Sequence, residues 1–155
     1  MSYTTLNLTD ARILAVDDIT SNLDVLCLVL EEAGYQVLVA DGGAAALDLA
    51  ERTTPDLILM DVMMPEMDGY EACRRLKQNE SSENIPVIFL TARDDVEGIL
   101  RGFKAGGVDY VTKPFQKAEL LARIENHLAL ARLKVDLEKQ VEARSQALTR
   151  QINLF

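Results

Sequence analysis

Short apolar runs alternate with amphipathic segments along the first 115 residues of the chain. Each run has the length and composition of a strand that is buried on both faces. The five segments that we interpret as strands are RILAVDD (12–18), QVLVA (36–40), DLILMD (56–61), PVIFLTA (86–92) and DYVTKP (109–114). Between them, apolar residues recur at helical spacing. This alternation predicts an α/β fold with a parallel sheet that is covered by helices on both faces.

The pattern changes at Gln116, since the last forty residues contain neither glycine nor proline. A continuous helix of that length spans about 60 Å, which is too long for one more layer of the same domain. We therefore interpret residues 10–130 as one globular domain and residues 131–155 as a helical linker. Because the helix runs to Phe155 without a stop signal, we expect an output module beyond it.

The linker carries apolar residues at spacings of seven and four, which resemble a coiled-coil seam. These seam residues are Leu130, Leu137, Val141, Leu148 and Phe155. The seam is interrupted by polar side chains at Lys134, Arg144 and Gln151. The pattern favours a parallel homodimer, and the alternative is a single solvated helix.

Composition excludes several classes of function. The first 115 residues carry 9 Lys or Arg against 20 Asp or Glu, an acidic balance that disfavours binding to nucleic acid. No apolar run approaches the roughly 20 residues of a membrane helix, and the N-terminal segment lacks the pattern of a secretory signal. A cytoplasmic protein is the default expectation, in which the two cysteines are reduced.

Polar side chains stand at or near the carboxyl ends of four predicted strands. Asp17 and Asp18 end the first strand and Asp61 the third, while Thr91 and Lys113 come near the ends of the fourth and fifth. Ligands of open α/β sheets bind beyond these strand ends, so the five residues are expected to share one rim. Taken singly, each residue also has a structural interpretation, as a helix cap, a strand former or a solvated charge.

Three carboxylates in one place repel one another unless a cation neutralises them. Oxygen ligands suit Mg²⁺, which binds through one or two carboxylates and readily adds a phosphate oxygen. Thr91 and Lys113 could then contact phosphoryl oxygens, and an aspartate can act as the nucleophile that forms an acyl phosphate. The site therefore indicates phosphoryl chemistry.

Four motifs give the chain a resemblance to response-regulator receiver domains of two-component signalling. They are VDD (16–18), MDVMMPEMDG (60–69), TA (91–92) and KPF (113–115). The resemblance covers about residues 10–130. It implies a flavodoxin-like, doubly wound sheet of five parallel strands in the order 2-1-3-4-5.

The resemblance also implies a role for each site residue. Asp61 would be the phosphoacceptor, and Mg²⁺ would be held by Asp17, Asp18, Asp61 and the backbone carbonyl of Met63. Thr91 and Lys113 would hold the phosphoryl group, and Tyr110 would move with Thr91 as the switch. The Lys113–Pro114 bond matches one that is usually cis, while Met63 and Arg93 would flank the water that removes the phosphoryl group.

The implied partner is a sensor histidine kinase or a histidine phosphotransfer protein. Such a receiver is not an enzyme in the usual sense, since it catalyses only its own phosphorylation and dephosphorylation. The alternative is a Mg²⁺-dependent aspartyl phosphatase of the haloacid dehalogenase type. That class places two acids two residues apart on its first strand, whereas Asp17 and Asp18 are adjacent.

Overall fold

The computed structural model describes residues 10–92 and 96–153. Strands and helices alternate strictly along this part of the chain. The strands are β1 (Arg12–Val16), β2 (Gln36–Ala40), β3 (Leu57–Asp61), β4 (Val87–Ala92) and β5 (Asp109–Lys113). The helices are α1 (Thr20–Glu32), α2 (Gly43–Thr53), α3 (Gly69–Lys77), α4 (Val96–Lys104) and α5 (Lys117–Asn153).

All five strands pair in parallel, in the order β2-β1-β3-β4-β5. The predicted fold and strand order are therefore confirmed. β3 lies in the middle of the sheet, and all five of its residues are buried. Because neighbouring side chains point to opposite faces, an unbroken apolar run is what a strand needs when both faces are covered.

The two faces of the sheet carry separate cores. Leu57 and Leu59 of β3 belong to the core shared with α1 and α5. Ile58 and Met60, from the same strand, belong to the core shared with α2 and α3. The sheet is thus the middle layer of three, and its strand ends are left for the site.

The end of β1 differs from the sequence-based expectation. β1 ends at Val16, so Asp17 and Asp18 lie in the following loop. β4 ends at Ala92, as predicted. The backbone N–H of Asp17 still donates to the carbonyl of Ala40 at 3.2 Å. Its carboxylate, however, accepts from the backbone N–H of Ile19 at 2.9 Å, and this bond turns the chain toward α1.

Helix α5 has two distinct parts. Its 37 residues span about 55 Å. Leu120, Ile124 and Leu128 are buried against the sheet at spacings of four. Residues 132–152, in contrast, are all exposed. Within the described residues, no helix combines the length and apolar character that are needed to cross a bilayer.

An ion-pair cluster attaches α5 to the edge strand β5. Both carboxylate oxygens of Asp109 lie 2.9 Å from Nη1 of Arg123, and Oδ2 lies 2.9 Å from Nε2 of His127. The backbone N–H of Tyr110 donates to Oδ1 at 2.8 Å. Burial alone would raise the pKa of Asp109, but the hydrogen bonds from His127, Tyr110 and Arg123 hold it below its ordinary value.

We expect Asp109→Asn to lower the free energy of unfolding at pH 7 by about 1–3 kcal/mol, because charge-assisted hydrogen bonds to α5 are lost. The pKa of Asp109 is lower in the folded protein than in the unfolded chain, where it is near 3.8, so its ionisation stabilises the fold at pH values above 3.8. This contribution is lost as the pH falls through the pKa of the folded protein. The difference between wild type and variant should therefore shrink below pH 3.8.

Chemical denaturation across a pH series measures this difference. The matched control is Asp48→Asn, which removes an exposed carboxylate paired with Arg52 within one helix. Such surface pairs contribute at most about 1 kcal/mol. Equal decreases in the free energy of unfolding of the two variants would contradict a special role for Asp109.

Candidate functional site

Three buried polar side chains meet where β1, β3 and β4 end. Asp61 is the last residue of β3, Asp17 follows β1 directly, and Thr91 is the penultimate residue of β4. All three are at most 4% exposed. Because the strands are parallel, their carboxyl ends lie on one edge of the sheet, as the sequence predicts.

The carboxylates of Asp17, Asp18 and Asp61 form a compact cluster. One oxygen from each lies within 4.8 Å of the others. Asp17 and Asp61 are buried, whereas Asp18 is exposed. The cluster is thus open to solvent on the side of Asp18.

Lys113, the last residue of β5, supplies a positive charge to this cluster. Its Nζ lies 2.7 Å from Oδ1 of Asp61 and 3.3 Å from Oδ2 of Asp17. One ammonium group therefore bridges the two buried carboxylates. Among the described residues, no contact is observed between Lys113 and Asp18, the third carboxylate of the cluster.

Burial and charge shift the protonation equilibria of this pair. Burial raises the pKa of Asp61, and the nearby Asp17 and Asp18 raise it further, while Lys113 only partly offsets them. Burial alone would lower the pKa of Lys113, but its contacts with Asp61 and Asp17 raise it above the ordinary value. The ammonium form of Lys113 is therefore favoured at neutral pH.

Asn22, on the first turn of α1, also contacts the cluster. Its Nδ2 donates to Oδ2 of Asp17 at 3.1 Å. This residue is not among the site residues predicted from the sequence. Its only sequence signal is an amide five positions after a site acid, and that spacing does not by itself predict a contact across a loop.

The β3–α3 loop is held close to Asp61. Met63 is 77% exposed in this loop. Asp68 caps α3, since its Oδ1 accepts from the backbone N–H of Glu71 at 2.8 Å. A side chain at Gly69 would overlap the carbonyl oxygen of Asp61, so glycine is needed for this close approach.

Thr91 and Tyr110, the predicted switch pair, line one small cavity of about 10 Å³. The cavity is also lined by Phe103, whose ring meets that of Tyr110 edge-on at a centroid distance of 6.2 Å. The side chain of Tyr110 therefore has a neighbour on α4 as well as on β4. The Lys113–Pro114 peptide bond is cis, as the sequence resemblance implies. Arg93 lies outside the described residues.

The donor set fits a small, hard cation. All three clustered groups are carboxylates, the ligands that Mg²⁺ prefers, and one of them faces solvent. Their separation is also compatible with binding to a common ion. The rim thus combines a buried carboxylate, the group that a nucleophile of this kind requires, with an ammonium group and a cluster of carboxylates that fits a cation.

The chain belongs to the family of response regulator receiver domains, whose sequence profile matches residues 13–125. This confirms the family that the motifs indicate. The chain is a receiver domain of the two-component type with a long helix at its C-terminal side. The comparisons give no support to the aspartyl phosphatase alternative.

Two curated relatives and one solved structure illustrate the similarity. The chain is 42% identical over 133 residues to the response regulator PleD of Caulobacter vibrioides, a match that covers 86% of this chain and 29% of PleD. It is 42% identical over 113 residues to the DNA-binding dual master transcriptional regulator RpaA of Synechocystis, covering 73% of this chain and 47% of RpaA. The chain therefore spans less than half the length of each of these relatives.

The solved structure is the receiver domain of the sensor histidine kinase PA1611 from Pseudomonas aeruginosa. It superimposes with a TM-score of 0.73 at 35% identity, covering 77% of this chain and 98% of that domain. That domain has a magnesium ion coordinated in its active site cleft.

Proposed function

We propose that Asp61 accepts a phosphoryl group from a phosphohistidine. The observation that carries this proposal is the contact of 2.7 Å between Asp61 and Lys113 at the end of the central strand. A buried carboxylate next to a fixed ammonium has both a nucleophilic oxygen and a charge to receive the anionic product. Membership of the receiver family supports the same assignment.

In this reaction an oxygen of Asp61 attacks the phosphorus atom of the donor. An O–P bond forms as the N–P bond of the phosphohistidine breaks, and the imidazole leaves with the electron pair. The product is an acyl phosphate on Asp61. Lys113 neutralises one phosphoryl oxygen, and the hydroxyl of Thr91 donates a hydrogen bond to another.

Mg²⁺ is the cofactor that we assign to the cluster. Asp17, Asp18 and Asp61 would hold it with their carboxylates, and Met63 with its backbone carbonyl. When bound, the ion supplies positive charge that offsets the carboxylates and the phosphoryl oxygens. Two observations support this assignment: the three clustered carboxylates and the magnesium ion in the related PA1611 domain.

Thr91 and Tyr110 form the conformational switch in this proposal. When Thr91 bonds the phosphoryl group, it moves away from the cavity that it shares with Tyr110. The ring of Tyr110 then fills the space that Thr91 leaves. Because β5 leads through residues 114–116 into α5, this movement reaches the long helix.

We expect Asp61→Asn to abolish phosphorylation by acetyl phosphate, because the amide keeps the shape of the side chain but loses the nucleophilic oxygen. Intact-mass spectrometry measures the added phosphoryl group, with and without Mg²⁺. Wild-type protein should be labelled only when Mg²⁺ is present.

Asp48→Asn serves as the control, since Asp48 lies exposed on α2 away from the rim. It should be labelled like the wild type. Undiminished labelling of Asp61→Asn would contradict the assignment of Asp61 as the phosphoacceptor. Steady release of phosphate from a phosphomonoester by the wild type would instead favour a phosphatase.

The donor in this proposal is a sensor histidine kinase or a histidine phosphotransfer protein in the cytoplasm. The acidic charge of the first 115 residues suits partners with basic surfaces and disfavours nucleic acid as a partner. In this proposal the domain receives a phosphoryl group from another protein. The only reactions that we assign to it are the phosphorylation and dephosphorylation of its own Asp61.

The exposed part of α5 is the basis of a second proposal, a parallel homodimer. Six apolar side chains follow one another along one face of the helix, with exposures between 52% and 73%. They are Leu130, Leu133, Leu137, Val141, Leu148 and Ile152. Phe155, which the sequence pattern adds to this seam, lies outside the described residues.

The exposed helix also lacks the ion pairs that stabilise solitary helices. No salt bridge joins two residues within 132–152, all of which the structure describes. An exposed helix without such pairs is only marginally stable in water. Packing the apolar face against the same face of a second copy supplies the missing contacts, and a two-fold axis makes that face self-complementary.

We expect Leu137→Lys to weaken the dimer by at least about tenfold, because it places a charge in the apolar seam. Arg144→Leu should strengthen it, because a cationic layer is replaced by an apolar one. Sedimentation of the full chain at tens of micromolar measures both effects, with and without phosphorylation.

The matched control is Gln146→Lys. Gln146 is nine residues from Leu137 and so lies on the opposite face of the helix. This variant should sediment like the wild type. A wild-type chain that stays monomeric in every state would show that the helix is solitary.

A further inference from the structure

We propose that Asn22 is a positioning residue that orients Asp17 for binding of a divalent cation. This inference rests on the proposed function, since it concerns the same acidic cluster. It is carried by a contact between two elements: Nδ2 of Asn22, on α1, donates to Oδ2 of Asp17, in the loop after β1, at 3.1 Å.

The carboxylate of Asp17 is fully buried, so its orientation depends on its hydrogen bonds. Oδ1 accepts from the backbone N–H of Ile19 at 2.9 Å, and Oδ2 accepts from Asn22. These two donors approach different oxygens and so fix the plane of the carboxylate. Without Asn22, the donor to Oδ2 is Lys113 at 3.3 Å.

Lys113 cannot replace Asn22 in this role. Its shorter contact, 2.7 Å, is with Asp61, and it carries a positive charge. A cation at the cluster is repelled by a charged donor on Asp17 but much less by a neutral amide. Asn22 therefore orients the ligand without opposing the ion that the ligand binds.

The alternative role for Asn22 is to stabilise the start of α1. The residue that precedes α1, Ile19, provides no side-chain cap. The backbone N–H of Asn22 already donates to the carbonyl of Ile19 at 3.0 Å, and its side-chain amide is directed to Asp17 instead. The hydrogen bond of the amide thus serves a buried site acid, as expected of groups that support metal ligands.

The first test is calorimetric titration of the full chain with MgCl₂. Asn22→Ala should weaken Mg²⁺ binding by about tenfold, the low end of the range for groups that support metal ligands. Asn22→Leu, which keeps the volume of the side chain, should have the same effect. Ser21→Ala, at the exposed neighbouring position, should bind Mg²⁺ like the wild type.

A double-mutant cycle separates positioning from general stability. If Asn22 acts through Asp17, then Asn22→Ala should add no further loss of Mg²⁺ affinity in an Asp17→Asn background. A fully additive loss would overturn the inference. So would Mg²⁺ affinity within twofold of wild type in both single variants of Asn22.

Phosphorylation kinetics give a second readout. With acetyl phosphate, the Mg²⁺ concentration for half-maximal labelling should rise about tenfold in Asn22→Ala. The rate of labelling at saturating Mg²⁺ should stay within about twofold of the wild-type rate, because a high Mg²⁺ concentration saturates even a site of lower affinity. A lower rate at every Mg²⁺ concentration would assign Asn22 a purely structural role.

The same experiment distinguishes failure of the proposed function from failure of the role that we assign to Asn22. If the wild type is not labelled at any Mg²⁺ concentration, the proposed function fails. If the wild type is labelled and the Asn22 variants share its Mg²⁺ dependence, only the role of Asn22 fails.

Discussion

The ammonium group of Lys113, between the carboxylates of Asp61 and Asp17, is the interaction on which the site depends. Two carboxylates that are 4% exposed or less repel each other and lose hydration, so they need a fixed positive charge. Lys113 supplies it from β5, which lies two positions from β3 and three from β1 in the sheet. The same contact joins the ends of β3 and β5 to the loop after β1.

The sheet makes this contact possible. β3 is central and buried on both faces, so it brings Asp61 to the rim within a rigid frame. β4 and β5 pair in register through Thr91 and Thr112, which places Lys113 level with Ala92. The polar rim is therefore a consequence of where β1, β3, β4 and β5 end. The glycine at position 69 allows the β3–α3 loop to approach the backbone of Asp61 closely.

Much of the fold could be predicted from local patterns in the sequence. Features that depend on contacts between distant parts of the chain could not. The strands were predictable because doubly buried strands are short, apolar and separated by helices. The exact end of β1 was not, because the carboxylate of Asp17 accepts a hydrogen bond from the backbone N–H of Ile19, and this bond decides where β1 stops. The clustering of Asp17, Asp18 and Asp61 was predictable from their positions at strand ends and from the motifs around them.

Two contacts with no local signal could not be predicted. The contact between Asn22 and Asp17 depends on the loop between β1 and α1, and the pairing of Asp109 with Arg123 and His127 depends on how α5 docks on β5. Each joins polar residues whose relative position is set by tertiary packing. Hydrophobic periodicity carries no information about such pairs.

Chemical trapping of the phosphorylated residue tests the central claim most directly. Borohydride reduces an aspartyl phosphate to homoserine, and peptide mass spectrometry then locates the reduced residue. After phosphorylation of the full chain in the presence of Mg²⁺, homoserine is expected at position 61. Homoserine at Asp17, Asp18 or Asp68 instead would contradict the assignment of Asp61 as the phosphoacceptor.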